Sequence, residues 1–207
     1  MANAPPNDTI PPWLAVRLRS AGGLLAPQYE ASLYGPINSL LIWYFPITQQ
    51  FMIKPQGKIR PGHTSDVVDD DVEMVRVSLD SYGGEVLSRE EKGGEQSLKA
   101  PDFTVVKATS SLHNDHVLMI IEVKRFEMSL ESAQDQIGEY FDALSDKYKF
   151  TNGQPLFDRL EALLIVGKDV LLVTLPSPGA EIKYSPIHDV TSAAVHNFIR
   201  AIAVANW

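Results

Sequence analysis

The sequence of residues 101–140, PDFTVVKATSSLHNDHVLMIIEVKRFEMSLESAQDQIGEY, holds two apolar runs followed by a helical pattern. The runs Phe103–Ala108 and Val117–Val123 are rich in β-branched residues and are separated by a polar, turn-forming segment, which predicts two antiparallel strands. The second run ends in Glu122 and Lys124, which alternation places on one face of the strand. Because buried charges are costly unless they are paired or bind a metal, this strand end is a candidate site.

Upstream of this stretch, the spacing of apolar residues predicts a helix over Trp13–Leu25 and a longer amphipathic helix over Ala26–Phe45. Gly22 and Gly23 are expected to end the first helix, and Pro36 predicts a kink or a break in the second near Gly35. Residues 51–64 are expected to form a loop or strand. Alternation predicts a strand over residues 72–79, and a short strand is expected at residues 86–87.

Downstream, the strongest helical pattern of the chain covers Leu130–Tyr148. The runs Ala162–Val166 and Val170–Leu175 predict a second hairpin, and Val190–Val204 predicts a final helix. The alternation of helices and strands indicates an α/β fold with a central mixed β-sheet flanked by helices.

Length and composition set the limits of the interpretation. A chain of 207 residues that is 44% apolar predicts one domain over residues 13–207 after a flexible, proline-rich tail over residues 1–12. The sequence has no cysteine and no apolar run of roughly 18 residues, and the start has no basic region typical of a signal peptide. We therefore expect no membrane segment and an intracellular location, in cytoplasm or nucleus. A net charge of −8 disfavours broad, non-specific nucleic-acid binding but allows a site where metal ions supply the positive charge.

A Glu-x-Lys tripeptide occurs three times, at residues 90–92, 122–124 and 181–183. Only the middle copy is preceded by Pro101-Asp102 and followed by a helix that carries Gln136 and Tyr140. This ordered set resembles the PD-(D/E)XK nuclease superfamily, and Gln136-Ile137-Gly138-Glu139-Tyr140 resembles the Gln-hydrophobic-x-x-Tyr motif of its RecB-like branch. The resemblance implies a restriction-endonuclease-like core, and Glu30 fits the upstream acid that is common in the superfamily.

The chemistry of the residues agrees with that resemblance. Mg²⁺ or Mn²⁺ binds oxygen ligands and keeps several waters, so Asp102, Glu122 and the Val123 carbonyl can hold an ion together with substrate phosphate. Lys124 is then placed to orient or deprotonate a water, or to offset charge in the transition state. The resemblance implies that Gln136 steadies Lys124 or the water, and that Tyr140 touches substrate or packs beneath the site.

Each residue also has an ordinary structural interpretation. Asp102 can be a turn residue, and Glu122 with Lys124 can form a solvent-facing ion pair. Gln136 can lie on the surface, Tyr140 in the core, and Glu30 in the first turn of a helix. Two further groups have weaker functional interpretations: a metal pair at His113 and His116, and a phosphate contact at Lys54, Lys58 and Arg60. The acidic run at residues 69–71 is expected to be a solvated surface segment.

The sequence therefore predicts a metal-dependent nuclease that hydrolyses phosphodiester bonds of DNA, with RNA as the alternative substrate. Asp102 and Glu122 are the expected metal ligands, with Glu30 and Val123 as further ligands, and Lys124, Gln136 and Tyr140 complete the expected catalytic set. The alternative is a nuclease-like fold that no longer cleaves and acts as a binding or regulatory module. The oligomeric state is left open, a homodimer included.

Overall fold

The computed structural model describes residues 9–20, 31–56, 100–109, 115–124, 129–149 and 159–207. These residues form a mixed α/β fold in which helices cover both faces of a mixed β-sheet. The helices are α1 (Pro12–Arg19), α2 (Ala31–Tyr44), α3 (Leu130–Lys149) and α4 (Ala193–Ala205), with a short 3-10 helix at Ile47–Gln49. The strands are β1 (Phe51–Pro55), β2 (Phe103–Lys107), β3 (His116–Lys124), β4 (Leu160–Val166), β5 (Asp169–Leu175), β6 (Lys183–Tyr184) and β7 (His188–Asp189).

The sheet has the order β1-β2-β3-β4-β5-β6, and β7 also pairs with β5. Strands β1, β2 and β3 are antiparallel neighbours, whereas β4 runs parallel to β3 and antiparallel to β5. A parallel pair requires a crossover connection, and α3 lies in the chain between β3 and β4. The sheet is therefore mixed, as predicted.

The alternation of β3 divides the core into two apolar clusters. Met119, Ile121 and Val123 face the cluster that contains α1, α2 and α4. Ile120 faces the other cluster, which is built on the apolar stripe of α3. Because Glu122 has the same parity as Ile120, its side chain belongs to the face that α3 covers.

The described elements confirm most of the predicted ones, with shifts at their ends. The hairpin strands β2 and β3, the helix α3 and the hairpin β4–β5 are confirmed. The first helix is described from Pro12 to Arg19 and the last begins at Ala193 rather than at Val190. The strands predicted at residues 72–79 and 86–87, together with Gly22 and Gly23, lie outside the described residues.

Of the kink or break predicted near Gly35, the break is wrong, because α2 continues through Pro36 to Tyr44. The kink stays a prediction. Proline removes one backbone hydrogen bond and crowds the preceding turn, at a cost of about 3 kcal/mol. Five apolar side chains of α2 that are almost fully buried outweigh this cost: Leu33, Ile37, Leu40, Leu41 and Tyr44.

A helix that crosses a bilayer must be both long and apolar. Within the described ranges, no helix of the chain combines the length and the apolar character that crossing a membrane needs.

Candidate active site

Asp102 and Glu122 lie opposite each other at the ends of adjacent strands. The register of the antiparallel β2–β3 ladder pairs Phe103 with Ile121. Asp102, which precedes Phe103, is therefore the cross-strand neighbour of Glu122, which follows Ile121. Both side chains are buried, with 8% of Asp102 and 2% of Glu122 exposed. The expected turn position of Asp102 therefore does not leave it in solvent.

Hydrogen bonds on three sides hold Asp102. Its Oδ2 accepts a hydrogen bond of 2.7 Å from the backbone N–H of Val123. Its Oδ1 accepts a hydrogen bond from the hydroxyl of Tyr34 on α2. Its backbone carbonyl accepts a hydrogen bond of 2.9 Å from the N–H of Gln56, just beyond β1. Asp102 thus joins β1, β3 and α2 at this end of the sheet.

Glu122 and Lys124 form a close and largely buried ion pair. The Lys124 Nζ lies 2.5 Å from the Glu122 Oε1, and only 13% of the Lys124 side chain is exposed. A solvent-facing ion pair, the ordinary interpretation of these residues, does not describe this arrangement. The second carboxylate oxygen of Glu122, Oε2, is buried and accepts no hydrogen bond from the residues that the structure describes.

The electrostatics of Glu122 follow from its burial. Removal from water raises the pKa of Glu122 above its ordinary value, and the nearby negative charge of Asp102 raises it further. The hydrogen bond and the charge of Lys124 act in the opposite direction and lower it. Since the raising effects exceed the lowering ones, the Glu122 carboxylate carries an unfavourable charge that a cation would offset.

Helix α3 brings Gln136 and Tyr140 to the same region. The Gln136 Nε2 donates a hydrogen bond of 2.6 Å to the hydroxyl of Tyr140, which in turn donates to the carbonyl of Ala100 at 3.3 Å. Tyr140 is almost completely buried in the α3 cluster. Burial raises the pKa of Tyr140, and the negative charge of Glu122 contributes to that rise. Tyr140 therefore packs beneath Glu122, and Gln136 is hydrogen-bonded to Tyr140.

The remaining candidates lie elsewhere or outside the described residues. Glu30 and His113 are outside them, so the upstream acid and the histidine pair remain predictions. His116 is exposed at the first residue of β3, the end opposite to Glu122. Lys54 forms an ion pair with Asp115 at 2.7 Å. The backbone N–H of Val123 donates a hydrogen bond to the Asp102 carboxylate. A role for the Val123 carbonyl as a metal ligand remains a prediction.

Sequence reasoning missed Tyr34. It is separated from Asp102 by 68 positions in the chain, and only the packing of α2 against β2 brings its hydroxyl to the carboxylate. Its ring also contacts Phe103 edge-on, with 5.3 Å between the ring centres. The position of Tyr34 beside the buried residue Leu33 carries no pattern that would have identified it.

The donor set at this sheet end fits a hard divalent cation. Two carboxylates suffice for Mg²⁺, which keeps several of its own waters. The Glu122 Oε2, which has no partner among the described residues, is an oxygen of the required kind. Glu161 is another buried glutamate on a strand, and it shows that burial alone does not deprive a carboxylate oxygen of its hydrogen-bond partner. Its Oε2 accepts a hydrogen bond of 2.6 Å from Thr174, and its Oε1 pairs with Arg159. Among the described residues, however, no group of three or more acidic, histidine or cysteine side chains is arranged to hold a metal.

The chain was compared with protein-family models, with curated protein sequences and with solved structures, and none of the three comparisons gave a significant match.

Proposed function

We propose that this protein is a metal-dependent nuclease with a restriction-endonuclease-like core, acting on phosphodiester bonds of DNA, with RNA as the alternative substrate. The observation that carries the proposal is the buried group of Asp102, Glu122 and Lys124, in which Glu122 Oε2 has no partner among the described residues. A buried carboxylate oxygen without a partner is destabilising, and a bound cation would satisfy it.

The topology supports this proposal. In the part of the chain that the structure describes, a helix, three antiparallel strands, a second helix and a parallel strand occur in this order from α2 to β4. This order lets β2 and β3 present their acids side by side, while α3 lies over the face that holds Glu122. The ordered motif from Asp102 to Tyr140 is thus matched by a spatial group, whereas the exposed Glu181 and Lys183 of the third tripeptide lie around β6.

Each residue of the proposed site has a distinct task. Asp102 and Glu122 would hold the metal, which supplies Lewis-acid chemistry by neutralising charge on the phosphate and lowering the pKa of water. Burial of both carboxylates excludes water from their far sides and strengthens their attraction for a cation. Glu30 and the Val123 carbonyl are retained as proposed further ligands.

Lys124 would act mainly as a hydrogen-bond donor. An ammonium group that lies 2.5 Å from a carboxylate has three donors and no lone pair, so it does not accept a proton while it stays in that state. It can orient the attacking water and offset the negative charge that develops on the phosphate. Gln136 and Tyr140 would support the floor of the site through their mutual hydrogen bond.

A cleavage assay with the full chain tests the proposal. Circular plasmid, end-labelled duplex DNA, single-stranded DNA and RNA are incubated with Mg²⁺ or Mn²⁺ and with wild type, Asp102→Asn or Asp169→Asn. Asp169 is an exposed aspartate at the start of β5 and serves as the matched control. We expect cleavage by wild type and Asp169→Asn but not by Asp102→Asn. Equal yields of intact substrate with all three proteins would contradict the proposal.

The second candidate, a nuclease-like binding module that does not cleave, is favoured by one observation. Both oxygens of Asp102 and one oxygen of Glu122 already have protein partners. Retention of nucleic acid without cleavage, in the presence of Mg²⁺ or Mn²⁺, would support this candidate over the nuclease.

A further inference from the structure

We propose that Tyr34 is a positioning residue for Asp102, holding its carboxylate in the orientation that a divalent cation requires. The proposal rests on the proposed function, because it takes Asp102 to be a metal ligand. It adds a residue from α2 that lies outside the motif between Asp102 and Tyr140.

The first observation is the pair of hydrogen bonds on the Asp102 carboxylate. Tyr34 donates its hydroxyl hydrogen to Oδ1, and Val123 donates its backbone N–H to Oδ2 at 2.7 Å. Two donors on different oxygens fix both the position and the plane of the carboxylate. Each oxygen still has a further lone pair, because a carboxylate offers about four acceptor directions.

The second observation is that Tyr34 is itself held in place. Its ring lies edge-on against Phe103, the residue that follows Asp102, with 5.3 Å between the ring centres and 73° between the ring planes. Tyr34 also packs against the buried cluster of α1, α2 and α4. The hydroxyl therefore reaches Asp102 from a ring that neighbouring side chains orient.

Without this hydroxyl, the Asp102 carboxylate would keep the donor from Val123 and lose the donor on Oδ1. The carboxylate could then rotate about its remaining hydrogen bond, and a bound cation would have to restrict that rotation. Side chains that orient metal ligands typically change metal affinity by 10- to 100-fold when they are removed. The same loss is expected here.

The test is a calorimetric titration of the full chain with Mn²⁺, which measures binding independently of cleavage. Tyr34→Phe removes the hydroxyl and keeps the ring. Tyr44→Phe is the matched control, since it also removes a hydroxyl from α2. The Tyr44 hydroxyl lies 3.0 Å from the Nδ1 of His196, its hydrogen-bond partner, and not on Asp102. Thermal melts select a temperature at which all three proteins stay folded.

We expect Tyr34→Phe to weaken Mn²⁺ binding by roughly 10- to 100-fold, with the affinity of Tyr44→Phe equal to that of wild type. Unchanged or tighter binding by Tyr34→Phe would overturn the role of Tyr34 while leaving the metal site standing. An equal loss in Tyr44→Phe would also overturn it, because general loosening of α2 would then explain the effect. Absence of Mn²⁺ binding by wild type would reject the proposed function itself, and this inference with it.

Discussion

The Asp102 carboxylate accepts a hydrogen bond of 2.7 Å from the backbone N–H of Val123, one residue beyond Glu122. The β2–β3 ladder ends at the pair of Phe103 and Ile121, so the side chain of Asp102 satisfies a donor that lies past the last paired residue. Asp102 therefore has a structural task as well as its proposed task as a metal ligand, and the two can be separated by mutation.

Replacement of Asp102 by alanine is expected to destabilise the fold more than replacement by asparagine does. Asp102→Ala leaves the N–H of Val123 and the hydroxyl of Tyr34 without their acceptor, at a cost of about 1–3 kcal/mol. Asp102→Asn keeps one carbonyl oxygen for Val123, so its cost should be smaller. Denaturant unfolding curves measure the difference. Equal stability of the two variants would show that the hydrogen bond from Val123 contributes little.

Glu122→Gln is expected to melt, in the absence of metal, at the same temperature as wild type or higher. Burial raises the pKa of Glu122, so ionisation of this side chain opposes folding as the pH rises above its ordinary pKa, and a neutral amide of the same shape removes that opposition. Added Mn²⁺ should raise the melting temperature of wild type and leave that of Glu122→Gln unchanged. A clear loss of metal-free stability in Glu122→Gln would mean that the ion pair with Lys124 outweighs the desolvation of the carboxylate.

Lys124→Met is expected to lower the rate of cleavage by roughly 10²–10⁴-fold, the usual contribution of a positioned proton-transfer or charge-stabilising group. Methionine keeps most of the length of the side chain and removes its charge. Lys183→Met is the matched control, because Lys183 is the exposed lysine of a tripeptide of the same pattern. Initial rates with end-labelled DNA give the comparison, and similar rates for both variants would exclude a role of Lys124 in catalysis.

The buried pair of Tyr44 and His196 predicts a loss of stability in mild acid. The Tyr44 hydroxyl and the His196 Nδ1 are 3.0 Å apart, and burial lowers the pKa of His196 below its ordinary value of 6.5. Below pH 6.5 the unfolded chain takes up a proton that the folded protein resists, so the free energy of unfolding falls by up to about 1.4 kcal/mol per pH unit. The stabilising contribution of neutral His196 is complete above pH 6.5, the ordinary pKa, and decreases as the pH drops below that value.

Unfolding curves between pH 7.5 and about pH 5 measure this effect, with His196→Gln as the comparison. Glutamine can keep a hydrogen bond to Tyr44 and does not titrate. The pH slope of wild type should therefore be steeper than that of His196→Gln. Parallel slopes would assign the acid sensitivity to other groups.

The elements that sequence reasoning predicted are those with a strong local pattern. The stripe of α3, with Ala133, Ile137 and Tyr140, repeats at helical spacing over five turns, and the strands β2 to β5 are apolar runs with clear ends. Strands β6 and β7 were missed because two residues each are too few for any periodicity. The break at Pro36 was predicted from local propensity, which the burial of α2 against the sheet overrides.

The candidate site was predicted in part for the same reason. Asp102, Glu122 and Lys124 belong to a single hairpin, so alternation and strand pairing were enough to expect them near one another. Tyr34 reaches Asp102 from a distant helix, and nothing in a single sequence reports the packing of α2 on β2. The Glu122 oxygen for which the described residues supply no partner is likewise a product of tertiary burial.

The most direct test of the central claim is an anomalous difference map from a crystal soaked in Mn²⁺. The account predicts one strong peak between Asp102 and the Oε2 of Glu122, with metal–oxygen distances of roughly 2.0–2.6 Å. The peak should be absent from crystals of Glu122→Gln and present in crystals of Glu161→Gln, which changes the other buried strand glutamate. A wild-type map with no peak at this position, or with its peak elsewhere, would contradict the metal site and the nuclease function proposed from it.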